Sequence, residues 1–201
     1  MIAQIIHNPA RTDRMENIIQ QAAEQGFQYE LWPAIMDAEN PARGCHLAHR
    51  AIVQHAKDQN WPAVWIMEDD IMFTASGACD RFLYTIPPSL YYDIYTAGSI
   101  GTHKFWHRGD YDYPKTISGT HCYIVEEDFY NSFLSMSADE HLDIAIGKTC
   151  YPEGKMPGRS PLLVLARPMY ALQQPGYSNI LCQQTDYNND KYLWQYEIFK
   201  G

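Results

Sequence analysis

Three adjacent acids, Glu68, Asp69 and Asp70, follow directly on the apolar run Ala63-Val64-Trp65-Ile66-Met67. Like charges this close repel one another. Placing them at the end of a buried strand is costly unless a cation or basic groups compensate. In an extended segment Glu68 and Asp70 point to one side and Asp69 to the other. Two carboxylates on one side suit a hard cation such as Mg²⁺ or Mn²⁺, which keeps positions open for phosphate oxygens. The carboxyl end of a strand in an open α/β sheet is also where ligands bind. The competing reading is a solvated acidic loop or a helix cap.

Other residues offer chemistry of their own. Arg11 and Arg14 lie near the start of an expected helix, where a guanidinium and the free backbone N–H groups together suit a diphosphate. Their alternative is a solvated helix face. Asp37 follows an expected strand and can accept from a ribose or base, or simply serve a turn. His49 shares a helical face with Cys45 and Ile52, as a nucleotide-site residue or as a satisfied core histidine. Cys45 beside His46 and His49 reads as a packed thiol on the apolar face rather than a nucleophile. Asp143 stands among Leu142, Ile144, Ala145 and Ile146. Partial desolvation there would raise its pKa toward that of a general base; the alternative is an exposed acid on an amphipathic helix. Glu153 and Asp112, in flanking loops, are the next carboxylates for that role. His103 and His107 are four apart but fall in an expected loop without an HExxH context, so a zinc site is not expected there. Gly147-Lys148-Thr149 lacks the earlier glycine of a phosphate loop and ends a helix instead of starting one.

The elements that must position these groups read as alternating strands and helices. Strands are expected at Ile2 to Ile6, Phe27 to Ile35, Ala63 to Met67, Ile94 to Ala97, Cys122 to Val125 and Leu162 to Ala166. A helix capped by Thr12 or Asp13 runs to Gln25 and ends at Gly26. A second, opened by Asn40 and Pro41, runs through Lys57 with Cys45, Ala48, Ile52 and Ala56 on one face. Glu126 to Met136 and Asp139 to Thr149 read as further helices. Gly98 to Thr120 and Tyr151 to Pro161 read as loops. This order implies an α/β domain with a largely parallel or mixed sheet flanked by helices.

Composition narrows the function classes. The 201 residues suit one domain, and 46% hydrophobic against 19% charged residues argues against disorder. A net charge of −9 disfavours general nucleic-acid binding. No apolar run is long enough for a membrane span. The N-terminus lacks the pattern of a secretory signal, and the five irregularly spaced cysteines carry no CxxC. A cytoplasmic protein with reduced thiols is the expectation.

Several segments, taken in order, resemble glycosyltransferase family 25, the lipooligosaccharide-type sugar transferases related to collagen galactosyltransferases. Ile5-Ile6-His7-Asn8 with Arg11, Asp13 and Arg14 resembles the opening "N..R.DR" strand and helix. Trp32 to Asp37 resembles "f.AiD". Gly44 to His49 resembles "GC.lSH", with Ala48 in place of Ser. Trp65 to Ile71 resembles "liLEDDv", and Gly119 to Val125 resembles "G..aYivs". Gln174 to Ile180 resembles the closing "Q..g.SdI", with Asn179 where Asp is common.

The resemblance implies a single GT-A-like domain over 1–201, with a nucleotide and metal half at about 1–97 and an acceptor half at about 98–201. It implies a metal-dependent, inverting transfer from a nucleotide-diphospho-sugar to a hydroxyl acceptor such as a glycan, as in lipopolysaccharide biosynthesis. The cofactor is Mn²⁺ or Mg²⁺, held by Glu68 and Asp70. Donor contacts fall to His7, Asn8, Arg11, Arg14 and Asp37, and to His49, Asp69, Gln174 and Ser178. Asp143 becomes the base. Two rivals stay open: a catalytically silent nucleotide-sugar binder, and a metal-dependent phosphoesterase built on the same acids.

Overall fold

The computed structural model describes residues 1–86, 92–100, 105–114, 116–151, 162–178, 180, 183–186 and 197–201. Its main sheet has, among these residues, eight strands in the order β2-β1-β3-β8-β5-β9-β7-β6. They are β1 (Ala3–His7), β2 (Tyr29–Pro33), β3 (Ala63–Glu68), β5 (Ile94–Thr96), β6 (Phe105–Arg108), β7 (Tyr111–Pro114), β8 (Cys122–Glu126) and β9 (Leu163–Ala166). Two short ribbons complete the strands: β4 (Ile71–Phe73) with β10 (Ala171–Gln173), and β11 (Gly176–Ser178) with β12 (Gln183–Thr185). The helices are α1 (Thr12–Gln25), α2 (Pro41–Asp58), α3 (Ala78–Tyr84), α4 (Tyr130–Ser135) and α5 (Leu142–Cys150).

The fold is α/β with a mixed sheet between helices. β2, β1 and β3 run parallel, and β5 and β9 run parallel. β8 enters antiparallel between β3 and β5, and β7 is antiparallel to both β6 and β9. Of the two expected arrangements, largely parallel or mixed, the sheet is the mixed one. Apolar runs report that a strand is buried on both faces, but carry no sign of its direction.

The period of two along β3 feeds two cores. Val64 and Ile66 face one cluster with Ile52, Tyr123, Phe133 and Ile146, under α2, α4 and α5. Trp65 and Met67 face the other with Ile18, Phe82, Tyr95 and Ile124, under α1 and α3. Each such fully buried side chain contributes about 1.5–3 kcal/mol, so the edge of β3 that carries Glu68 is anchored from both sides.

Helix boundaries follow local chemistry. Asn40 caps α2 by accepting from the Arg43 N–H at 3.1 Å. Gly26 ends α1 at φ 74°, the left-handed region that glycine enters without strain. Thr12 does not cap α1: it is the first helical residue, Arg11 holds the cap position, and no side chain caps. α5 starts at Leu142 rather than Asp139, because Asp139 is held in a local turn with Ser137. The stretch 98–120 is not all loop; it contains the antiparallel pair β6 and β7. Tyr151 is described and the remainder of the expected loop to 161 lies outside the described residues. No described helix is long and apolar enough to cross a membrane.

α1 buries a polar stripe. Asn17, Gln21 and Gln25 recur every fourth residue and are buried. Asn17 donates to the carbonyls of Asp69 and Ile71, at 3.1 and 2.8 Å. Gln21 accepts from the Phe73 N–H at 2.8 Å, and Gln25 donates to the Ala75 carbonyl at 3.0 Å. This ladder ties the chain just after the acidic triplet to α1 and satisfies backbone groups that the main sheet leaves open.

Candidate functional site

A cleft of about 460 Å³ lies where the parallel strands β1 and β3 end. That volume falls in the range of small-ligand sites. Its floor carries Glu68, Asp69 and Asp70, its helix walls Arg11, Arg14 and His49, and its rim Asp37, Tyr177 and Ser178. Residues from both sequence halves therefore build it. Asn8 also lines it. His7 reaches it through Asp69, and Gln174 through a 2.7 Å bond from its N–H to the Asp70 carbonyl. Gln173, not Gln174, lines the cleft and donates its side-chain amide to Asp70 Oδ2 at 2.7 Å. It sits there because β10 pairs with β4 and sets Gln173 opposite Ile71.

The three acids have three different surroundings. β3 ends at Glu68, and Asp69 and Asp70 lie in a turn, so strand alternation stops before it can aim them. Glu68 Oε1 accepts from Thr120 Oγ1 at 2.7 Å and lies 3.6 Å from His49 Nε2. Burial opposes its charge. The neighbouring His49, Thr120 and His121 outweigh burial and hold its pKa below the usual range. Asp69 Oδ2 accepts from the Asn8 N–H at 3.2 Å and pairs with His7 Nδ1 at 2.9 Å. Burial raises its pKa all the same. Asp70 Oδ2 takes Gln173 and lies 3.2 Å from Arg14 Nη1, while its buried Oδ1 has no partner among the described residues.

The basic groups divide likewise. Arg11 is clamped on Asp13 through Nε and Nη2, at 2.9 and 2.7 Å, and reaches the Tyr177 carbonyl at 3.4 Å. The clamp draws the Asp13 carboxyl down to about 2. Arg14 is only 4% exposed, and burial lowers its pKa. Gly176 leaves room for it: a Cβ there would lie 3.1 Å from Arg14 Nη2. Asp37 accepts from the backbone of Glu39 and Asn40 and from Arg43 Nε, at 3.1, 2.8 and 2.5 Å. The Arg43 bond comes first in lowering its pKa. Asp37 is thus a turn and cap residue on the rim of the cleft.

His49 is fully buried, stacks on Tyr123 and shares a 2.8 Å hydrogen bond between Nδ1 and Tyr123 Oη. Cys45, expected on an apolar packing face, is half-buried on the cleft wall. Burial there pushes its thiol well above the ordinary pKa. Asp143 is half-buried at the start of α5. It accepts from the Gly119 N–H at 3.1 Å and the Ile144 N–H at 2.8 Å, and is not part of the cleft lining. Asp112 pairs with His107 at 2.8 Å on β7 and β6, away from β1 and β3 in the sheet order. Glu153, His103 and Asn179 lie outside the described residues.

Thr120, Gln173, Tyr177 and Cys45 were not among the expected site residues. Cys45 carried a signal in its four-residue spacing from His49, and Thr120 and Tyr177 lie inside two of the segments that resemble the family, whereas Gln173 carried none. His121 adds a pH dependence. Burial lowers its pKa, with Glu68 and the Ala171 carbonyl facing it, and its Nδ1 is buried without a partner among the described residues. The unfolded chain then binds a proton that the fold refuses below about pH 6.5. Stability is fully present above that value and declines as pH falls toward the lower folded pKa. The melting temperature should therefore drop between about pH 7.5 and 5.5, with a shallower slope in His121→Asn. Equal slopes would remove His121 from the account.

No protein-family model matches the chain, and no curated protein matches it. Solved structures do resemble it. One is a glycosyltransferase involved in glycosylation of the major capsid of PBCV-1, with TM-score 0.49 and 15% identity over 84% of this chain and 82% of that one. Another is a Drosophila beta-1,4-galactosyltransferase 7 mutant in complex with manganese, UDP-Gal and xylobiose, with TM-score 0.48 and 13% identity over 100% and 82%. A protein of STIV gives TM-score 0.49 and 7% identity over 87% and 94%.

Proposed function

We propose that this chain is a metal-dependent glycosyltransferase of GT-A type that moves a sugar from a nucleotide-diphospho-sugar to a hydroxyl of a glycan acceptor, with inversion. One observation carries the reading. At the carboxyl ends of parallel strands, Asp70 offers a buried carboxylate oxygen without a partner among the described residues, beside the buried guanidinium of Arg14. An unmet anionic oxygen in a cleft of ligand size fits a hard cation. Asp70 would hold Mn²⁺ or Mg²⁺, and the ion when bound neutralises charge on a leaving diphosphate.

The chain's own groups do the rest. Arg14 and Arg11 face the diphosphate, and the Asp69–His7 pair fixes the turn that presents Asp70. Asp143 takes the proton of the acceptor hydroxyl as it attacks the anomeric carbon. The transition state is oxocarbenium-like, as in glycoside hydrolysis. One observation favours a second reading, a nucleotide-sugar binder without turnover: Asp143 stands outside the cleft lining, with both carboxylate oxygens occupied. Release of free nucleoside diphosphate in the presence of acceptor separates the two.

The test is a thermal-shift screen of nucleotide-diphospho-sugars with and without Mn²⁺. Ligand at a hundred times its dissociation constant adds about 2.7 kcal/mol of stability. A shift that needs both components supports the proposal; no shift with any donor overturns it. Arg11→Ala extends the test. A charge-assisted contact contributes about 1.5–3 kcal/mol, and the existing clamp on Asp13 places Arg11 at the low end. The donor dissociation constant should rise by about tenfold. An unchanged constant would leave Arg11 as the partner of Asp13 alone.

A further inference from the structure

We propose that Cys45, His49 and Glu68 form a second cation site, for a thiophilic divalent ion of the Zn²⁺ class, distinct from the hard-cation position at Asp70. Cys45 Sγ, a His49 ring nitrogen and a Glu68 oxygen all lie within 4.8 Å of one another. Cys45 and His49 are one turn apart on α2 and so share a face. Glu68 meets them from the end of β3.

The buried imidazole points to a ligand. His49 is 0% exposed, and its Nε2 has no hydrogen-bond partner among the described residues. Glu68 Oε1 stands 3.6 Å from it, too long for a hydrogen bond and an ion-pair separation when the ring is protonated, so a bound cation would replace the ring proton between them. The other nitrogen, Nδ1, is 2.8 Å from Tyr123 Oη. With Nδ1–H donating to that hydroxyl, Nε2 presents its lone pair to the thiol and the carboxylate. A metal-bound histidine has this arrangement, its second nitrogen held by an outer partner.

Charge and softness select the ion. One thiolate and one carboxylate balance a dication, so the occupied cluster is neutral despite its burial. On binding, the Cys45 S–H bond breaks, its proton leaves to solvent and an S–metal bond forms. Sulfur and imidazole favour Zn²⁺ over the oxygen-seeking Mg²⁺ and Mn²⁺. Three protein ligands leave a fourth position open, and all three residues line the cleft, which gives that position an entry path.

The test uses Co²⁺ as a spectroscopic probe on the full chain with a thiol-free reductant. One equivalent should produce a thiolate-to-cobalt charge-transfer band, and Zn²⁺ should bleach it. Cys45→Ser should abolish the band. Tyr123→Phe should keep it but weaken Co²⁺ binding by about 10–100-fold. Asp70→Asn should keep the band while losing any Mn²⁺-dependent donor shift, so failure here and failure of the transferase reading are separate results. If Cys45→Ser does not fold, loss of tight Co²⁺ binding in Glu68→Gln supports the site and its retention overturns it. No band at one equivalent overturns the proposal. A band that persists in Cys45→Ser does so as well, since another cysteine would then be its source.

Discussion

Asp70→Asn is expected to abolish the Mn²⁺-dependent part of nucleotide-sugar binding and, at the same time, to lower the melting temperature. The two effects have different causes. The amide keeps the shape of the carboxylate but not its charge, so the unpartnered Oδ1 position no longer attracts a hard cation. The loss of stability comes from Arg14. From the sequence alone, three crowded acids suggest that neutralising one relieves repulsion. The structure reverses that sign. Arg14 is 4% exposed and lies 3.2 Å from Asp70 Oδ2. Removing one partner of a buried pair costs about 3–5 kcal/mol. The cost here falls below that range, because Asp69 and Asp13 still support the guanidinium charge. Melting curves of wild type and variant, with donor and with or without Mn²⁺, read both effects. A variant that keeps the metal-dependent shift would remove Asp70 as the anchor. One that melts higher than wild type would remove the Arg14 pairing as a stabilising contact.

What the sequence made legible is local. Asn40-Pro41 announces the start of α2, and Gly26 the end of α1, because caps are decided by one or two residues. The run from Ala63 to Met67 reads as a buried strand, and its acids do lie at the mouth of a cleft. Other features had no local signature. The buried face of α1 is polar, with Asn17, Gln21 and Gln25 bonded to backbone far along the chain. A hydrophobic period registers only apolar faces, so this stripe looks like surface. The antiparallel entry of β8 depends on partners outside its own segment. The alternation expected for Glu68, Asp69 and Asp70 requires an extended chain, and the strand ends at the first of them. Gln173 and Thr120 reach the acids only through pairing and loop placement. Cys45 repeats at helical spacing with core residues, yet it lines the cleft and belongs to neither core itself.

Asp143→Asn should cut turnover by about 10²–10⁴-fold, the usual size of general-base catalysis, and leave donor affinity nearly unchanged. The expectation rests on position and connectivity. Asp143 opens α5 and accepts from the Gly119 N–H. The next residue, Thr120, donates to Glu68. The Gly119–Thr120 segment thus joins Asp143 to the acid cluster, on a side where the donor cleft does not extend. An acceptor hydroxyl approaching there would meet Asp143 as the donor sugar meets Asp70. Asparagine keeps one of the two acceptor oxygens, so it can hold the Gly119 N–H or the Ile144 N–H but not both; a melting curve of the variant reads that structural cost, and loss of the base should fall on kcat. A KM-against-kcat split is therefore the decisive readout. A fall in donor affinity would mark Asp143 as a positioning residue for Gly119 and Thr120. A variant that retains more than about a tenth of the wild-type rate at saturating substrates is incompatible with a general base of the usual strength. In that case Asp69 is the next carboxylate to change, since it lines the cleft and burial already raises its pKa.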